Sequence, residues 1–208
     1  MVKKYFVEKL EHIMHSKCNT SINGEHMEVD LMKLTTERLE LIPLDASNLK
    51  LSIDNFQEME QNFGLSVTDT KLDDNLRYAM EVRRNKVLAD EGNYLWLTNW
   101  AIVSQEENCI VGFIMIKGCP NEFGEVIVGY GIEPKHRRKG YASEAFRGLM
   151  DWIFENPEAK AIIADTDKFN IPSHMVLENV GAKKYKETDE LIWWRVENNS
   201  MNENIALL

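Results

Sequence analysis

The sequence predicts a mixed α/β (or α+β) domain in which one sheet carries helices on both faces, preceded by an extra helix. Three observations predict it. Apolar residues recur at helical spacing twice between Leu44 and Val87, strand-like runs follow from Tyr94 to Ile132, and strand and helix patterns then alternate to Val196. The 208 residues, 44% hydrophobic and 28% charged, suit one domain with an appendage, at about 100–200 residues per domain. A chain of that length buries a full core without disulfides or metals.

Taken in order, Phe6, Val7, Leu10, Ile13 and Met14 lie at helical spacing among Lys and Glu, which predicts an amphipathic helix over 1–16. The polar run from Cys18 to Glu28 reads as a linker. Residues 1–32 are therefore an N-terminal helical extension and linker, 33–197 the domain, and 198–208 a polar tail. Leu39 to Leu44 is the first strand of the domain, ending near Pro43. Asp45 and Ser47 then offer caps for a helix through Leu49, Ile53 and Phe56, and Leu72, Leu76, Met80, Val82 and Val87 mark a second. Tyr94 to Val103 and Cys109 to Ile116 are strand-like, with Glu106-Glu107-Asn108 as the turn of a hairpin. Gly118-Cys119-Pro120-Asn121 breaks the chain before a strand from Glu125 to Ile132, which Pro134 stops. Ala142, Ala145, Phe146, Leu149, Met150, Trp152 and Ile153 form the most regular helical pattern, ended by Asn156-Pro157. Ala161 to Ala164 is a short buried strand. A helix from Asn170 to Val180 follows, with Pro172 in its first turn and Gly181 past its end. Tyr185 and Leu191 to Val196 supply the last strands.

Bulk properties exclude several classes. Three cysteines with no CxxC pairing read as reduced thiols, not a disulfide framework or a zinc site. The five histidines have no metal-site spacing with a third ligand, so no metal is expected. No apolar run approaches the roughly 20 residues of a membrane span, and the N-terminus lacks an apolar signal region. Cytoplasmic placement without a membrane partner follows as the expectation. A net charge of −10 argues against nucleic acid as a partner. It is compatible with a cationic substrate and equally with plain solubility.

The informative stretch runs from Gly129 to Ala142, leaving a strand, crossing a basic turn at Lys135-His136-Arg137-Arg138-Lys139 and entering a helix at Gly140. A helix N-terminus offers free N–H groups and a positive dipole end, so it accepts anions. Gly140 allows close backbone approach, and Ala142 is small. The pattern points to a phosphate-bearing ligand without separating coenzyme A from a nucleotide, and a solvated basic turn capping a core helix is the plainer alternative. Neither the Walker GxxxxGK[ST] nor the GxGxxG spacing is present.

Arg137-x-x-Gly140-x-Ala142, the preceding Tyr130-Gly-Ile-Glu-Pro134, the downstream segment from Asn170 to Ala182 and the entry segment from Thr35 to Leu44 occur in one order over roughly Leu34 to Glu197. That ordered set resembles the GNAT superfamily of acyl-CoA-dependent N-acyltransferases, and within it the branch of ribosomal-protein N-terminal (alanine/serine) acetyltransferases. The resemblance implies a mostly antiparallel sheet and acetyl-CoA as cosubstrate. It implies that the backbone N–H groups of Arg138, Gly140, Tyr141 and Ala142 cradle the pyrophosphate, with Ser143 one step along, while Arg137, Arg138 and Lys139 add positive charge around whatever docks there. Ile132 would pair with the pantetheine arm, and Asn170 and Ser173 would touch the coenzyme from the next helix, Asn170 also serving as its N-cap.

An amine must lose a proton before it attacks a thioester, since a lysine-type amine has a pKa near 10.4. Glu125 is the first candidate base and Asp165 the second, with oxyanion donors expected around Tyr130–Ile132. Many members of the family carry a tyrosine acid seven residues after the asparagine; here that position is Leu177. The expected acceptor is a primary amine of a small molecule or a protein N-terminus, and the expected state a monomer or homodimer. A non-catalytic coenzyme A-binding sensor or regulatory protein is the alternative.

Overall fold

A computed structural model describes residues 32–198, with the strand backbones of 17–22 and 25–30 in addition. The helix expected over 1–16 lies outside the described residues. The run read as a linker is instead a hairpin, with β1 (Lys17–Ile22) pairing antiparallel with β2 (Glu25–Asp30).

Eight strands form the main sheet: β3 (Leu34–Thr35), β4 (Leu39–Pro43), β5 (Asn99–Ser104), β6 (Cys109–Ile116), β7 (Glu125–Ile132), β8 (Ala161–Asp167), β9 (Lys183–Glu187) and β10 (Leu191–Glu197). Their spatial order is β3-β4-β5-β6-β7-β8-β10-β9. Each neighbouring pair is antiparallel except β7 with β8, which is parallel because a helix crosses over between them.

Between β4 and β5 lie α1 (Ala46–Asp54), α2 (Phe56–Asn62), α3 (Asp74–Ala89) and the short α4 (Tyr94–Leu97). Asp45 caps α1 by accepting from Asn48 N, and Asn55 breaks the predicted single helix in two by capping α2. The strand expected to start at Tyr94 begins at Asn99 instead, because Tyr94–Leu97 is a helical turn that buries Trp96. Helix α5 (Tyr141–Phe154) joins β7 to β8, and α6 (Ile171–Asn179) follows β8.

The sheet separates two cores. On one face α5 buries Tyr141, Ala145, Phe146, Leu149, Trp152 and Ile153 against Val126, Val128, Ile162 and Trp194. Each large side chain buried there contributes about 1.5–3 kcal/mol. On the other face Leu49, Phe56, Met59, Met80 and Val87 from α1–α3 cover Ile42, Ala101, Ile110 and Phe113. The described domain extends slightly past its expected bounds. Met32 is buried in the α5-side core, and Asn198 is buried with Nδ2 donating to Ala159 O at 3.0 Å. No helix among the described residues is long and apolar enough to cross a membrane.

Candidate functional site

Strand β7 leads into the site and α5 leads out of it. The parallel pairing of β7 with β8 ends at Ile127↔Ile163, while β8 continues along β10 through Asp167. The sheet opens there as a wedge, with Val128–Ile132 still paired to β6 on its other edge. Odd-numbered residues of this stretch turn their backbone groups to β6, because Lys117 N donates to Ile127 O at 2.8 Å and Glu133 N to Val111 O at 2.9 Å. Tyr130 and Ile132, of opposite parity, therefore direct their N–H groups into the wedge.

Pro134 ends the strand, and a 3-10 turn over Pro134–His136 reverses the chain. Arg137 Nε donates to Ile132 O at 2.9 Å, which ties the turn back to the strand end. Arg138 (φ 63°) and Gly140 (φ 84°) are both left-handed, so the backbone curls before α5. Gly140 holds the N-cap position and has no side chain to satisfy the helix's first N–H groups. The open amides of Tyr141, Ala142 and Ser143 and the positive end of a 14-residue helix thus point out of one turn.

Two of the motif's three basic side chains are spoken for. Arg137 is held on Ile132; Lys139 Nζ lies 2.7 Å from Glu107 Oε1 and 5.8 Å from the Tyr141 ring centre. Tyr141 and Ser143 are buried, whereas Arg138 is exposed. What the segment presents is backbone.

Two residues without a local motif hold that backbone in place. Glu144, in the first turn of α5, accepts from Thr36 Oγ1 at 2.7 Å, Arg38 N at 2.8 Å and Arg38 Nε at 2.8 Å. Arg38 Nη1 in turn donates to Lys139 O at 3.0 Å, and its guanidinium stacks over Tyr141. Burial pushes the Glu144 carboxyl up, but the Thr36 and Arg38 hydrogen bonds outweigh it and hold its pKa below the ordinary value. A cleft of about 790 Å³ beside β3 is lined by Arg38, Gly140, Ser143, Glu144, Arg147 and Asp151. It meets the amide turn only at Gly140 and Ser143.

Across the wedge, Asn170 Oδ1 accepts from Ser173 N at 3.3 Å and caps α6, as one of its two expected roles requires. Tyr130 links the two walls: its hydroxyl donates to Ser173 O at 3.1 Å and its ring stands edge-on to Phe146 at 5.8 Å. Burial pushes the Tyr130 phenol up to about 12, so it stays protonated at neutral pH. Leu177, where the resemblance would have a tyrosine, is a core residue 1% exposed.

The two candidate bases share the sheet face opposite α5, since Val126 and Val128 of β7 and Ala164 of β8 pack on the α5 side. Both face Tyr185, whose phenol is raised first by desolvation and then by the charges of Glu125 and Asp165. Their placement differs. Glu125 is ion-paired to Arg195 and accepts from Asn121 Nδ2 at 3.2 Å, at the paired end of β7. About 23 Å of strand separates it from Ile132. Asp165 lies two residues past the last β7–β8 pair, at the wedge, with Lys117 Nζ 3.4 Å away. His174, set aside as a ligand in the sequence, is a core histidine against Trp194 with Nε2 3.1 Å from Asp167 O. Neither Tyr130's hydroxyl contact nor the Arg38–Glu144 brace had a signal in local spacing, since each joins segments far apart in the chain.

The uncharacterised N-acetyltransferase YjdG of Bacillus subtilis is 34% identical over 83 residues, covering 40% of this chain, and the chain spans about half (49%) of that relative's length. Among solved structures, the ribosomal-protein-S5-alanine acetyltransferase of Vibrio fischeri matches at a TM-score of 0.60 with 18% identity, covering 80% of this chain and 97% of its own. The ribosomal L7/L12 alpha-N-protein acetyltransferase RimL in complex with coenzyme A matches at 0.58 with 13% identity, covering 79% and 97%. These two likenesses establish the fold. Residues 38–183 match the family described as the acetyltransferase (GNAT) domain, and the chain belongs to that family.

Proposed function

We propose that this protein is an N-acetyltransferase that moves an acetyl group from acetyl-CoA to a primary amine. The observation that carries the reading is the uncapped amide turn at Gly140–Ser143, set at the mouth of the wedge between β7 and β8. Acetyl-CoA supplies an activated thioester. The amides of Arg138 to Ala142 and Ser143 hold the pyrophosphate, with the motif side chains acting as braces and not as ligands. Ile132 N–H pairs with the pantetheine arm; its carbonyl is already used by Arg137. Asn170 and Ser173 border the arm from α6, and Tyr130 N–H donates to the thioester oxygen as charge builds on it.

The acceptor amine enters from the face that carries Asp165, Glu125 and Tyr185. Asp165, next to the wedge, takes the ammonium proton directly or through water, and Glu125 adds negative charge along the approach. Carboxylates on that face suit a cationic acceptor, either a small amine or a protein N-terminus as in the ribosomal-protein acetyltransferases that share the fold. The test is calorimetric titration with acetyl-CoA followed by turnover on a panel of small amines and N-terminal peptides. Binding with acetyl transfer supports the enzyme. Binding without transfer to any amine favours the coenzyme-binding sensor, which the leucine at 177 also suits. No binding to folded protein removes both.

A further inference from the structure

His136 stands out among the buried polar residues. It is 4% exposed, and neither ring nitrogen has a hydrogen-bond partner. Buried imidazoles are ordinarily satisfied by a carbonyl, a carboxylate or a water. Nδ1 stands 3.4 Å from Glu107 Oε1, within ion-pair reach but not hydrogen-bonded to it. Cys109, a buried free thiol at the start of β6, completes the group, and one ligand atom from each of the three lies within 4.8 Å of the others. The histidines have no metal-site spacing among themselves along the chain. The fold instead brings a histidine to a cysteine and a glutamate from the β5–β6 hairpin.

We propose that Glu107, Cys109 and His136 form a zinc site that clamps the 134–139 turn to the β5–β6 hairpin. A thiolate, an imidazole and a carboxylate are the mixed donor set that Zn²⁺ accepts, with water in the fourth position. Tetrahedral zinc with bonds of about 2.0–2.3 Å holds its ligand atoms roughly 3.3–3.8 Å apart. Glu107 Oε1 and His136 Nδ1 are already 3.4 Å apart, and closing the remaining separations, all within 4.8 Å, takes shifts on the order of 1 Å. Binding replaces the Cys109 S–H bond with an S–Zn bond, and the proton leaves to solvent. Because His136 directly precedes Arg137, zinc occupancy would set how firmly the amide turn before α5 is held.

The experiment uses the full chain, stripped of metal by chelator and dialysed, with Zn²⁺ in calorimetry and Co²⁺ as an absorption probe. The expected result is one equivalent of Zn²⁺, and a thiolate-to-cobalt charge-transfer band that Cys109→Ser abolishes. His136→Gln should weaken Zn²⁺ binding at least about 100-fold and Glu107→Gln about 10-fold, the range for lost ligand support. Glu107→Gln changes a surface side chain, so it reports even if the two buried variants fold poorly; its melting temperature without metal is measured alongside. Failure of wild type to bind near one equivalent overturns the site, as does binding that none of the variants weakens or a cobalt spectrum without the thiolate band. None of these readouts depends on acyl transfer, so they stand apart from the activity assay.

Discussion

The amide turn before α5 and the carboxylate face of β7, β8, β9 and β10 are built by opposite means. At the turn the groups on offer are backbone amides, and the side chains of Arg137, Lys139 and Tyr141 are tied up in or buried beneath it. On the carboxylate face the chemistry is side chain, and Glu125, Asp165, Tyr185 and Arg195 come from four strands. A backbone device needs a continuous segment, so it leaves a motif. A side-chain device needs only convergence in space, so it leaves none.

The largest expected effect breaks the first region. Gly140→Asp forces a side chain onto a residue at φ +84°, with its Cβ 3.3 Å from Arg38 Nη2, and sets a negative charge among the amides. Acetyl-CoA at a hundred times its dissociation constant should add about 2.7 kcal/mol to wild-type stability, on the order of 5–10 °C in melting temperature. The variant should show no shift; a retained shift would move the phosphate site elsewhere.

Next come the two carboxylates, which sharpen the second region. Asp165→Asn should lower turnover by roughly 10²–10⁴-fold with acetyl-CoA affinity unchanged. Glu125→Gln should reduce it less, since that carboxylate is held by Arg195 at the paired end of the strand. A larger loss in Glu125→Gln than in Asp165→Asn would reverse their roles.

A smaller effect concerns the brace between strand and turn. Glu144→Gln should cost about 1–3 kcal/mol by weakening a charge-assisted network with Thr36 and Arg38. Because the folded Glu144 pKa lies below its unfolded value, its contribution is complete above about pH 4.3 and is lost as pH falls through the folded pKa. Acid melts of wild type and variant should therefore converge below that window; parallel curves would refute the linkage. The smallest change is expected for Lys117→Met, whose ion pair with Asp165 is more than a third exposed on both sides. Its stability, read as a thermal melt, should stay within about 1 kcal/mol of wild type; a larger loss would mean that this exposed pair helps hold the wedge.

Much of the fold was legible because local rules and tertiary demands agree. Asp45, Asn170 and Gly181 sit where the chain needs an N-cap, an N-cap and a left-handed exit. The α5 periodicity names five of the residues it buries, Ala145, Phe146, Leu149, Trp152 and Ile153. Disagreement arose where context overrode composition. Tyr94–Leu97, rich in aromatic and aliphatic residues, is helical because it packs Trp96 against Trp152 at 4.7 Å. The 17–30 run, polar enough to pass for a linker, pairs with itself as a hairpin.

By itself the sequence determined the sheet with helices on both faces, the order of strands and helices from β5 to β10 and the basic, glycine-containing turn into α5 at Arg137–Ala142. Each of these rests on periodicity or on neighbouring residues. Only the tertiary structure decided that β7 and β8 part after Ile127, that Arg38 and Glu144 brace the turn, and that Asp165 lies nearer the wedge than Glu125. It alone set His136 beside Cys109 and Glu107. Such juxtapositions depend on strand register and packing, which link residues by distance in space and leave no period along the chain.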